Sequence, residues 1–164
     1  MKNYKTSLKY FIVLFFMIAV GWLLVSDFNF NQAPSNKTRE ETLTSDYTEG
    51  VVQINGVSIN VDLAENTKEQ EQGLSGRAPL LENQGMLFVF DKSDEYYFWM
   101  KEMNFSIDII WFDENQKIVY IQENANPESY PVLFGSKQNS KYVLEVSAGF
   151  VAKNNLKIGD SFQF

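Results

Sequence analysis

Apolar and polar positions change their period several times along this chain, and each change marks an element. Val57, Ile59, Val61 and Leu63 alternate with Ser58, Asn60 and Asp62, the two-residue period of a strand with one buried and one wet face. Val51-Val52-Gln53-Ile54 precedes them across Asn55-Gly56. Asn-Gly predicts a type I′ hairpin, because both central residues of that turn take positive φ. Asn66–Gln72 is polar and rich in helix formers, with Thr67 and Gln70 spaced for a capping box and Gly73 placed to end one short helix. Gly73 to Leu81 then reads as a turn-rich connector.

Three short apolar and aromatic runs follow, Gly85–Phe90, Tyr96–Lys101 and Asp108–Asp113, and adjacent strands of a small core are expected there. Ile118–Ile121, Lys141–Ala148 and Gly159–Phe164 read as further strands. Asn124–Gln138, with Pro127, Pro131 and Gly135, reads as an irregular loop, and Gly149–Asn154 as a turn or single helical turn. About seven or eight short strands, one short helix and no βαβ alternation predict an all-β, mainly antiparallel domain. A compact β-sandwich or small barrel is the expected form.

Residues 10–26 depart from this patterning. They carry no charge and directly follow Lys2, Lys5 and Lys9. A spanning helix needs roughly 17–25 apolar residues, so the run predicts an N-terminal transmembrane helix at the short end of that range. Residues 1–9 are then a basic cytoplasmic tail and the rest of the chain lies outside. The alternative is a cleaved signal peptide and a secreted domain, although Pro34 behind Asn31-Gln32-Ala33 makes the nearest cleavage site poor. Residues 27–50 are acidic and rich in Asn, Ser, Thr and Glu, a flexible linker to a folded domain over 51–164.

Composition narrows the chemistry. The 164 residues contain no cysteine and no histidine, which excludes disulfides, thiol nucleophiles, histidine triads and the usual zinc sites. A net charge of −7 argues against nucleic acid as a partner. No Gly-x-Gly-x-x-Gly, phosphate-binding loop or Gly-x-Ser-x-Gly elbow occurs, so no cofactor is expected. Asp91-Lys92-Ser93-Asp94-Glu95 lacks the glycine and spacing of a calcium loop and reads as a solvated turn, so no metal is expected either.

Isolated charges inside apolar runs need a partner or a purpose. In extended chain Tyr97, Trp99 and Lys101 share one face, Asp108 shares a face with Ile110 and Phe112, and Glu145 shares one with Lys141 and Val143. Arg77 stands alone among small and apolar residues. Arg77, Trp99, Lys101, Asp108 and Glu145 are expected to converge at one end of the sheet, the aromatic as floor and the charges orienting a polar ligand. The plainer expectation is that Arg77 or Lys101 merely pairs with Asp108 or Glu145. Three functions fit: a non-catalytic binding module for a small polar ligand, glycan or peptide; an accessory domain docking on another envelope protein; or a carboxylate-dependent hydrolase using two of Asp108, Asp113 and Glu145.

Several motifs together resemble a bacterial and archaeal family, domain of unknown function family 192. They are Gly73-Leu74-x-x-Arg77, Gly85-Met86-Leu87-Phe88-Val89-Phe90, Phe98-Trp99-Met100-Lys101, Asp108-Ile109-Ile110-Trp111-Phe112-Asp113, and Tyr142-Val143-Leu144-Glu145 with Ala148-Gly149. The order is the family's, over about residues 51–164. Ser75 stands where the family commonly has Met, Glu102-Met103 where it has Asn-Thr, and Ser106 where it has Pro. The resemblance implies a compact jelly-roll-like β domain, often behind an export signal, and implies no reaction.

Overall fold

A computed structural model of the chain describes residues 47–164. The basic tail, the expected anchor and most of the expected linker lie outside the described residues. Among the described residues no helix is long and apolar enough to cross a membrane.

Strands β1 (Thr48–Ile54) and β2 (Val57–Ala64) form the expected hairpin, with Asn55 and Gly56 at φ 47° and 79°. Helix α1 (Thr67–Gln72) follows, but its capping box lies one residue earlier than expected. Asn66 is the residue with extended backbone, and its Oδ1 accepts from the Glu69 N–H at 3.1 Å. The Glu69 carboxylate in turn accepts from the N–H groups of Glu65 and Asn66. Those bonds hold its pKa below the usual value, the Glu65 N–H contributing most. Gly73, at φ 49°, ends the helix in a conformation that side chains disfavour.

The remaining strands are β3 (Gln84–Asp94), β4 (Tyr97–Phe98), β5 (Ile107–Phe112), β6 (Ile118–Ala125), β7 (Phe134–Gly135), β8 (Ser140–Ser147) and β9 (Phe162–Gln163). A 3-10 turn at Pro127–Ser129 interrupts the long loop, and a second short helix, α2 (Phe150–Lys153), follows β8. Seven strands make one sheet in the order β6-β5-β8-β3-β2-β1-β9.

Three expectations are corrected here. First, β2 and β3 run parallel, because the connector through α1 carries the chain back across the sheet before β3 begins. The sheet is therefore mixed and contains one βαβ unit. Second, the three central runs are not neighbours: β8 lies between β3 and β5, and β4 pairs only with β7 in a separate two-stranded piece. The aromatic run around β4 serves as a cover instead, with Phe98 packing edge-on against Phe88 and Trp111 at 4.8 and 5.7 Å. Third, the architecture is one curled sheet forming a half-barrel, with more than one short helix, and not a jelly-roll sandwich.

The C-terminal segment links the outer strands. Ile54 in β1 pairs with Phe162, whose N–H donates to the Gln116 carbonyl at 3.1 Å, while the Ile118 N–H donates to the Asp160 carbonyl at 2.8 Å. One apolar cluster fills the inner face, with Val52, Ile59, Leu87, Ile110, Phe112 and Phe162 among its members. A second, with Met86, Phe88, Ile109 and Trp111, lies on the outer face beneath Leu74, Met100 and Met103. All six residues of β5 are buried, which is why that run shows almost no polar alternation.

Candidate functional site

On β8, Leu144 and Val146 point into the inner cluster while Val143 and Glu145 point outward. Cross-strand register then sets Asp62, Met86, Glu145 and Ile109 in one row across β2, β3, β8 and β5. Glu145 is only 5% exposed, and its Oε2 has no hydrogen-bond partner. A buried polar atom without a partner is uncommon in a folded protein and costs stability.

Glu145 borders a cavity of about 620 Å³. Phe88, Phe90, Tyr96, Phe98 and Trp99 supply much of its wall, while Glu71, Lys101 and Glu102 bring charge to it. Its frame is fixed piece by piece. Phe90 and Tyr96 stack with centroids 3.5 Å apart, and the Tyr96 hydroxyl donates to the Lys92 carbonyl. Gln70 Nε2 donates to the carbonyls of Ala64 and Val89, which ties α1 to the strands beneath it. The Ser75 hydroxyl donates to the Lys101 carbonyl and the Gly76 N–H to the Glu102 carbonyl, both at 2.8 Å.

Burial pushes the Glu145 carboxyl up to about 8, and the positive charge of Arg77 offsets this only in part. Arg77 is already committed. Its guanidinium pairs with Asp62 at 2.5 Å and lies over the Tyr47 ring, 4.6 Å from the centroid. It lines a neighbouring concavity of about 660 Å³ together with Asp62, Glu49 and Gln84.

Of the expected site residues, Trp99, Lys101 and Glu145 border the same cavity and Arg77 acts on Glu145 from beside it. Asp108 does not join them. In the β5–β8 register it faces Val146, on the inner side of the sheet, while Glu145 faces Ile109 on the outer side. Its Oδ1 accepts from the Asn124 N–H at 2.8 Å and its Oδ2 from the Val151 N–H at 2.9 Å. Asp108 thus clasps an irregularity in β6 to the first turn of α2. Asp108→Asn keeps the size but turns an amide toward a backbone donor, and is expected to cost about 1–3 kcal/mol. Urea unfolding checks this; an unchanged midpoint would remove the clasp from the account.

Asp113 accepts from the N–H groups of Asn115 and Lys117 in its own turn. Asp108 and Glu145 therefore lie on opposite faces of the sheet, and Asp113 sits in the turn after β5. Among the described residues no three acidic side chains gather as a metal site. Phe90, Tyr96 and Glu71 escaped the sequence reading. Their membership depends on a helix and a loop folding back over the sheet, for which no local pattern exists.

A protein from Sinorhizobium meliloti, provisionally described as a transcription regulator, has a similar solved structure at 28% identity and TM-score 0.68. The match covers 73% of this chain and 95% of that one. A protein of unknown function from Novosphingobium aromaticivorans is similar at 26% identity and TM-score 0.71, over 74% of this chain and 89% of that one. Among curated proteins no relative matches. The DUF192 family, described as uncharacterized ACR, matches residues 50–164, and the chain belongs to that family.

Proposed function

We propose that the domain is a non-catalytic binding module that takes a small polar ligand in the cavity before Glu145. The observation that carries this reading is the unpartnered Oε2 of a buried carboxyl at a cavity of ligand size. A carboxyl kept there at a cost in stability is one that a ligand completes. The net charge of −7 weighs against carrying over a regulator's role from the Sinorhizobium relative.

Display outside the cell on an uncleaved N-terminal anchor is part of the same proposal, supported by the charge-free run after three lysines. Alkaline phosphatase fused after Tyr47 should be active, because the reporter forms its disulfides only outside the cytosol; a stably made but inactive fusion would sink this topology.

A second reading, docking on an envelope protein, draws on exposed Trp99, Tyr130, Val132 and Leu133. Two variants separate the readings. Glu145→Leu should raise stability by about 1–3 kcal/mol by removing an unpaired buried polar group. It should nonetheless fail to restore a strain lacking the chain, whereas Leu133→Lys should restore it. The opposite pattern of restoration would transfer the function to the exposed patch.

A further inference from the structure

We propose that the ligand enters this cavity by a protonated primary amine, which seats on Glu145 between the aromatic walls. This deepens the reading of the cavity as a binding site and rests on it.

Two kinds of group could complete the free Oε2. A neutral donor such as a hydroxyl would supply one hydrogen bond, whereas an ammonium supplies a hydrogen bond and a charge. The walls favour the second. Aromatic rings present negative faces to whatever lies between them, and a desolvated cation gains from this where a hydroxyl gains little. Phe88, Phe98 and Trp99 supply those rings, while Phe90 and Tyr96 line the cavity with one face of each stacked on the other.

The surrounding charges point the same way. Glu71 comes from α1, Lys101 and Glu102 from the loop after β4, and Arg77 with Asp62 from the neighbouring concavity. Lys101 lies 4.0 Å from Glu102 and is half exposed, and Arg77 is held by Asp62. Both cations thus have acid partners of their own, and although Arg77 acts on Glu145 from beside the cavity, the Glu145 Oε2 has no cation paired with it. The orphan oxygen also selects among cations, because a quaternary ammonium has no N–H to give it.

Proton balance supplies the signature. Without ligand the carboxyl holds its proton through neutral pH, since burial pushes it to about 8. On binding, Glu145 releases that proton to solvent and its carboxylate accepts the N–H of the ammonium. Affinity should therefore climb roughly tenfold per pH unit between about pH 6 and pH 8, and fall again near pH 10 as a free amine loses its own proton.

The test is calorimetry on the full-length protein in mild detergent, with n-butylammonium, tetramethylammonium and 1-butanol as probes at millimolar concentration. Repeating it in buffers of different ionisation enthalpy counts the protons. The expected result is binding of n-butylammonium with about one proton released near pH 7, little binding of the other two, and at least a tenfold loss in Glu145→Gln. Binding of 1-butanol that depends on Glu145 and equals that of n-butylammonium overturns the amine and leaves the binding site standing. Ammonium binding with no proton release, or unchanged in Glu145→Gln, overturns the amine seat on Glu145. Absence of binding by all three probes overturns both the amine and the cavity as a binding site.

Discussion

Stability against urea is expected to fall as pH rises from about 4.5 to about 8, by as much as about 5 kcal/mol, because Glu145 folds with its proton on. The sign follows from the proton count. In the unfolded chain the carboxyl ionises near 4.5, while in the folded chain it keeps its proton until about 8. Between those values the native state binds one proton more than the unfolded state, so each pH unit favours unfolding by about 1.4 kcal/mol. Below the window both states are protonated and the full stability is present. Above it both are ionised and the loss levels off. The figure is an upper bound, since water entering the cavity stabilises the ionised form. Glu69 acts in the opposite direction: its lowered pKa gives stability that is present above 4.5 and lost in more acid solution, outside this window. Urea midpoints at pH 5, 7 and 9 check the slope, and Glu145→Gln should flatten it. A wild-type profile as flat as the variant's would mean that the carboxyl is not desolvated as described.

Trp111→Ala is expected to cost about 3–5 kcal/mol, near the top of the range for a buried aromatic. Trp111 is fully buried, packs edge-on to Phe98 at 5.7 Å and lies 5.1 Å from the Tyr120 ring. Its Nε1 also donates to the Tyr96 carbonyl at 2.9 Å, so truncation empties a large volume and strands a polar group together. Tyr96 and Phe98 both border the Glu145 cavity, so the damage should extend beyond stability. Trp111→Phe keeps most of the volume and loses the hydrogen bond, at about 1 kcal/mol. Thermal and urea unfolding of both variants test this. Equal losses would show that the hydrogen bond, and not the packing, is what matters at this position.

Local pattern carried the strands and their punctuation well. The Asn55-Gly56 turn, the helix ending at Gly73 and the doubly buried run at β5 follow from period and turn chemistry that short stretches contain. Strand order does not. β8 comes between β3 and β5 because of pairing across long sequence separations, and no residue within those runs states which neighbour it will take. The Tyr96–Met100 run shows the limit most plainly. Its composition reads as a strand, yet the outer cluster needed a lid more than the sheet needed an edge.

The site was legible to the same degree. Face assignment by alternation placed Glu145 and Asp108 correctly along their own strands. Register then decided whether those faces coincide, and they do not: Asp108 opposes Val146 and Glu145 opposes Ile109. A parity difference between two paired strands separates residues that each looked like a site member. Arg77 and Asp62 illustrate a different gap, since their pairing depends on how the connector after α1 crosses the parallel strands.

The C-terminal link between β1 and β6 also has a consequence for the order of events during synthesis. Ser161 and Phe162, which complete the join, come after all the other strands in chain order. A nascent chain lacking them can form the β1–β2 hairpin, but both outer edges stay open and Phe162 is missing from the inner cluster. The joined sheet therefore becomes available only once residues 161–162 have been made.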